Sequence, residues 1–103
     1  MTDGQSLISA DVLARYVADA ARDVPGVHGL VGSALHRHEG VKVVRDDERL
    51  GVELHLSLEW GANAGAVGAA VQTRVAEVLA RMADARPDNI DVVVDEWHSA
   101  SSV

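Results

Sequence analysis

Between Gly51 and Met82 the spacing of apolar residues changes its period. Val52, Leu54, Leu56, Leu58 and Trp60 alternate strictly with Glu53, His55, Ser57 and Glu59. After the small residues that follow Gly61, a second set (Val67, Val71, Val75, Val78, Leu79 and Met82) recurs at helical intervals. A period of two followed by a period of about 3.6 describes a half-buried strand and an amphipathic helix. Each has one apolar side to hide, and the short connection makes each the nearest cover for the other. Trp60 has the same parity as the apolar row and is expected to cap it, leaving the Glu53–Glu59 row facing away.

The flanking segments extend this unit. Ser9 is an N-cap candidate with Asp11 in the first turn, at the positive end of the helix dipole. Leu13, Tyr16, Val17, Ala20, Ala21 and Val24 then mark one helical face, with Asp11, Arg15, Asp19 and Arg22 on the other. Pro25 disfavours a helical Val24, and Gly26 completes the stop. Val27 to His38 reads as a strand weakened by Gly29 and Gly32. Glu39-Gly40 reads as a hairpin turn, and Val41 to Arg45 as the second strand. Asp46 to Arg49 is a charged turn, and Ile90 to Trp97 is the last strand. The predicted order is αβββαβ: a small mixed sheet, made of a three-strand meander plus a C-terminal strand, with two amphipathic helices on one face. That places the chain in the α+β class. Residues 1–103 are expected to form one domain, ordered from about 8 to 97 with short flexible termini.

With no Phe, one Tyr and two Trp, the core must be filled by Val, Leu and Ala. Sixteen acidic residues against nine basic ones give a formal charge of −7, and Lys42 is the only lysine. Such a surface disfavours nucleic acid and repels anionic lipid. The chain has no Cys, so disulfides, thiol catalysis and thiolate metal sites are excluded. The first residues, Met1-Thr2-Asp3-Gly4, lack the basic and apolar regions of a signal peptide. No apolar run approaches the roughly 20 residues that span a bilayer. The expectation is a cytoplasmic protein that does not insert into the membrane.

Few residues suggest chemistry. Glu53, His55, Ser57 and Glu59 resemble an acid, base and nucleophile, but same-face neighbours on a strand stand about 6.5–7 Å apart. That is too far for compact groups to bond directly, so no catalytic residue is assigned. His36, His38 and His55, with Glu39 or Glu53, form a permissive set of metal ligands whose spacing is not diagnostic. His28 and His98 have no evident partners. Gly61, Gly65 and Gly68 fit neither a dinucleotide-binding nor a P-loop pattern. Val44, Val93 and Trp97 are expected on the outward sheet face, as a candidate protein-contact patch.

Two blocks then carry a resemblance. Ile8-Ser9, Val12-Leu13-Ala14, Val17-Ala18, Ala20-Ala21 and Val24-Pro25-Gly26-Val27 form the first. The second comprises the Val52–Leu58 alternation, Trp60-Gly61, Val67, Val71-Gln72, Val75 and Val78, closed by Ile90 and Val92-Val93-Val94. Together they resemble the alkaline shock protein family, the Gls-type envelope stress response proteins of bacteria. The chain departs from the family pattern where Ala83 to Arg86 replaces a segment that usually includes Gly. The resemblance implies a non-enzymatic cytoplasmic protein without cofactors, linked to envelope and alkaline stress. It also implies self-association or recruitment to the membrane by an anchoring envelope protein. The competing reading is a small metal- or ligand-binding protein using His36, His38 and His55. A KH-like RNA binder is disfavoured by the acidic charge and the missing G-x-x-G clamp.

Overall fold

The computed structural model describes residues 9–32, 40–46 and 49–99. Its elements are α1 (Ala10–Arg22), β1 (Val27–Leu30), β2 (Val41–Arg45), β3 (Leu50–Glu59), α2 (Ala64–Ala83) and β4 (Asn89–His98). Class and element order follow the expectation.

The Ser9 hydroxyl accepts from the Val12 amide at 3.1 Å, satisfying one of the free donors that open α1. Leu13, Ala14, Val17, Ala18, Ala20 and Ala21 are buried, which is the face the spacing marked. Asp19 and Arg22 pair at 3.2 Å on the solvent side. Gly26 ends the segment under two constraints. Its φ of +97° is left-handed, and a Cβ there would sit 2.8 Å from Val67 Cγ2.

Among the described residues all pairing in the sheet runs through β3. Leu50, Val52, Leu54, Leu56 and Leu58 are buried under the helices. The strand pairs antiparallel with β1 and β2 and parallel with β4, so the sheet is mixed. The connection differs from a meander. β1 pairs with Leu56–Leu58 and β2 with Leu50–Leu54, so the two short strands lie end to end along one edge of β3. They meet at His55, whose carbonyl accepts from Val31 N and whose amide donates to Gly40 O, both at 2.9 Å. Gly40 makes this junction possible: its φ is +87°, and a Cβ would stand 2.6 Å from the Val31 oxygen. The strand read over Val27 to His38 is present from Val27 to Leu30, and its stretch from Ser33 to His38 lies outside the described residues.

The Asn63 side chain caps α2 by accepting from Ala66 N at 2.9 Å. Val67, Val71, Val75 and Leu79 are buried, whereas Met82, placed in the same stripe by its spacing, is exposed in the last turn. Beyond the helix Asp84 adopts a left-handed φ of 51°. The first helix packs against α2 and over β1 and β2, while α2 covers β4. Among the described residues no helix lies on the opposite side of the sheet.

Candidate interaction surface

The bare face is assembled by register. Lys42 of β2 and Asp91 of β4 flank Glu53; Val44 lies opposite Gly51; Val93 lies opposite His55. Gly51 has no side chain, and a shallow depression of about 280 Å³ opens there beside Lys42, Val44, Glu53, Asn89 and Asp91.

His55 is the best-held polar group on this face. Its Nε2 meets Glu53 Oε2 at 2.6 Å and its Nδ1 meets Asp95 Oδ2 at 2.8 Å. Glu53 is long enough to close a repeat that compact side chains could not bridge. The hydrogen bond to Glu53 raises the imidazole above its ordinary value of 6.5, Asp95 adds to this, and partial burial opposes it. With both ring nitrogens facing carboxylates, His55 has none free to take a proton from a nucleophile or to donate to a metal.

Two bulges shape the far end of the sheet. On β1 the register skips between Val27, opposite Leu58, and Gly29, opposite Ser57, leaving His28 as the extra residue. On β4 it skips between Val94, opposite Leu56, and Glu96, opposite Ser57, leaving Asp95 extra. The bulge turns Asp95 toward His55. It also brings His98 opposite Glu59, where its ring stacks on His28 with centroids 3.6 Å apart and planes 7° from parallel. The rings come from strands on opposite sides of β3, so the stack crosses over it. Ser57, next along the row, is only 5% exposed. His28 Nδ1 lies 3.4 Å from Glu59 Oε2. Neither histidine had a partner readable in the sequence, because their meeting depends on both register shifts.

The Asp95 bulge also relocates Trp97. An unbroken alternation sets it on the bare face with Val93; one extra residue sets it opposite Leu58, on the helix side. There it meets Trp60 edge to face at 6.3 Å and 80°. Trp60 is not a cap over the core: it is 72% exposed, and Trp97 is 42% exposed. Val44 and Val93 do share the bare face, and both are exposed. They sit on opposite sides of β3 and four residues apart in register, about 13 Å along the strand. The three residues read as one patch therefore occupy three places.

Of the candidate metal ligands, His36, His38 and Glu39 lie outside the described residues. Among the described residues no group of three or more His, Asp or Glu is placed to hold a metal ion. A Cβ at Gly68 would lie 3.9 Å from Val92 Cγ1, an ordinary contact, so helix–sheet approach does not require glycine there, and the start of α2 is capped by Asn63.

Comparison with curated protein sequences gives no significant match. Among solved structures the chain is similar to three of the MamM CTD. One is a manganese form, at a TM-score of 0.65 and 16% identity, covering 85% of this chain and 99% of that one. A zinc form of another variant gives 0.64 and 16%, covering 84% of each chain. A third variant gives 0.57 and 11%, covering 87% of this chain and 92% of that one. Identities this low speak for the fold alone. Residues 1–98 match the model of a family with a cell envelope-related function, called Asp23 after a protein and not after residue 23 of this chain.

Proposed function

The chain belongs to the Asp23 family, of cell envelope-related function, and from that premise we propose that it is a non-enzymatic interaction module acting in envelope or alkaline stress. It serves as a scaffold, associating with itself or with a membrane-anchoring envelope protein. The observation that carries this reading is the pair of Trp60 and Trp97, two of the chain's three aromatic residues, packed on each other at the surface instead of in the core. Aromatic side chains are costly to leave in water and are enriched where proteins meet. The polar groups of the bare face support the non-enzymatic part of the reading. Glu53, His55 and Asp95 are tied to one another, as are His28, His98 and Glu59, and none converges on an enclosed pocket.

Charge supports recruitment through protein instead of lipid. A formal charge of −7 is repelled by an anionic bilayer. No helix among the described residues is long and apolar enough to cross one. The cytoplasmic side of the membrane is the proposed site of action.

Light scattering across a concentration series, paired with co-purification from membranes of the native host, tests the proposal. The wild-type chain is expected to associate with itself or with an envelope protein, and Trp97→Ala is expected to weaken that association by about tenfold, the scale of an interface aromatic. A strict monomer that retains no partner, unchanged in Trp60→Ala and Trp97→Ala, would reject the reading.

A further inference from the structure

Strand β4 is the long open edge of the sheet. Its residues Asn89–His98 pair with β3 on one side, and among the described residues no strand lies on the other. Ten residues of strand run for about 33 Å. Open edges of this length invite another strand, and proteins usually blunt them with lysine, proline, bulges or short length. This edge has no Lys and no Pro, and its bulge at Asp95 leaves Asn89–Val94 regular. Gln72 Nε2 reaches down from α2 to the Ile90 carbonyl at 2.8 Å, touching only the start of the strand.

Charge protects β4 against its own copies. The strand carries Asp91, Asp95 and Glu96 and neither Lys nor Arg. Antiparallel self-pairing centred on Val93 would set Asp91 of one copy opposite Asp95 of the other. Centred one half-step further, it would set Asp91 opposite Glu96. Like charges directly opposed destabilise a ladder. A protonated His55 between Glu53 and Asp95 still leaves that trio one net negative charge.

We propose that the free edge of β4 receives an extended, basic segment of a partner protein as an added strand, a reading that rests on the interaction role above. Backbone hydrogen bonds supply affinity, and alternate side chains supply selectivity. Lys or Arg at every second position lies on the bare face over Asp91 and Glu96. The apolar residues between them meet Ile90, Val92 and Val94, which are half-buried on the helix side, and end beside Trp97.

The test uses the full chain and two capped ten-residue peptides, one alternating lysine with valine and one alternating glutamate with valine. Tryptophan fluorescence reads the end of the edge, and amide hydrogen exchange reads the strand. The lysine peptide is expected to bind, to shift the fluorescence and to slow exchange within Asn89–His98. The glutamate peptide should not. Reversing both Asp91 and Glu96 to Lys, at exposed positions away from the core, should weaken lysine-peptide binding by about tenfold or more and admit the glutamate peptide. Four results would overturn the proposal: no binding of either peptide, equal binding of both, indifference to the charge reversal, or slowed exchange confined to other elements. So would β4 protection that grows with the chain's own concentration, which marks a second copy as the occupant. If an envelope partner is retained while both peptides fail, the interaction role stands and the strand-addition proposal falls. If the lysine peptide binds β4 in a chain that retains no partner and never self-associates, the reverse holds.

Discussion

The two faces of the sheet are built from the same strands by different rules. Under the helices, Val52, Leu54, Leu56 and Leu58 face the apolar sides of α1 and α2, and any apolar residue of the right parity contributes to burial. On the bare face, Glu53, His55, Asp95, His28, His98 and Glu59 make contacts that each depend on one partner at one register position. The covered face is redundant and gives stability. The bare face is specific, and a one-residue shift of β1 or β4 against β3 would dissolve it.

Substitutions can break this contrast at points of decreasing weight. Leu56→Ala, at a fully buried position beneath both helices, should cost about 2–5 kcal/mol in chemical denaturation, enough to threaten a fold of this size. Gly40→Ala is the sharper probe, since it leaves the core composition intact. A Cβ facing the Val31 oxygen from a left-handed backbone should cost more than about 1 kcal/mol and loosen exchange protection at His55 and Val31. If it proves neutral, the end-to-end meeting of β1 and β2 is wrong.

A smaller effect belongs to the bare face alone. The folded state raises the affinity of His55 for its proton, so the stabilisation from this group is complete below the ordinary value of 6.5 and is lost as pH rises through the higher folded value. Denaturation measured from pH 6 upward should show stability falling in that window. His55→Gln should remove this part of the decline, and an unchanged profile in the variant would assign the effect elsewhere. The smallest change concerns a position outside both faces. Asp84→Gly, at φ 51°, should stabilise by up to about 1 kcal/mol, because glycine takes the left-handed conformation freely.

What was legible in the sequence follows the same division. Ser9, the Val24-Pro25-Gly26 stop, the Leu54–Leu58 alternation and the Val67–Leu79 stripe carry their meaning locally, and the elements they mark are present. The glycine-poor exit of α2 was also legible as a departure, and Asp84 occupies the left-handed position there. The placement of Trp97 was not. Its parity depends on Asp95 being an extra residue, and nothing in Val94-Asp95-Glu96 distinguishes a bulge from a continuing strand. The same holds for His28, and the His28–His98 stack requires both shifts together. At β1 the described strand ends at Leu30, and the loose alternation from Ser33 to His38 lies outside the described residues. Alternation finds faces; it does not find registers.

The meeting of Val31 and Gly40 on His55 makes their connection a detour closed at one residue of β3. Its endpoints are fixed by two backbone hydrogen bonds, whatever lies between. Lengthening such a detour adds only about 0.6 kcal/mol of closure entropy for each doubling. A reporter peptide inserted between the two endpoints is therefore expected to leave the Val31–His55 and His55–Gly40 hydrogen bonds in place.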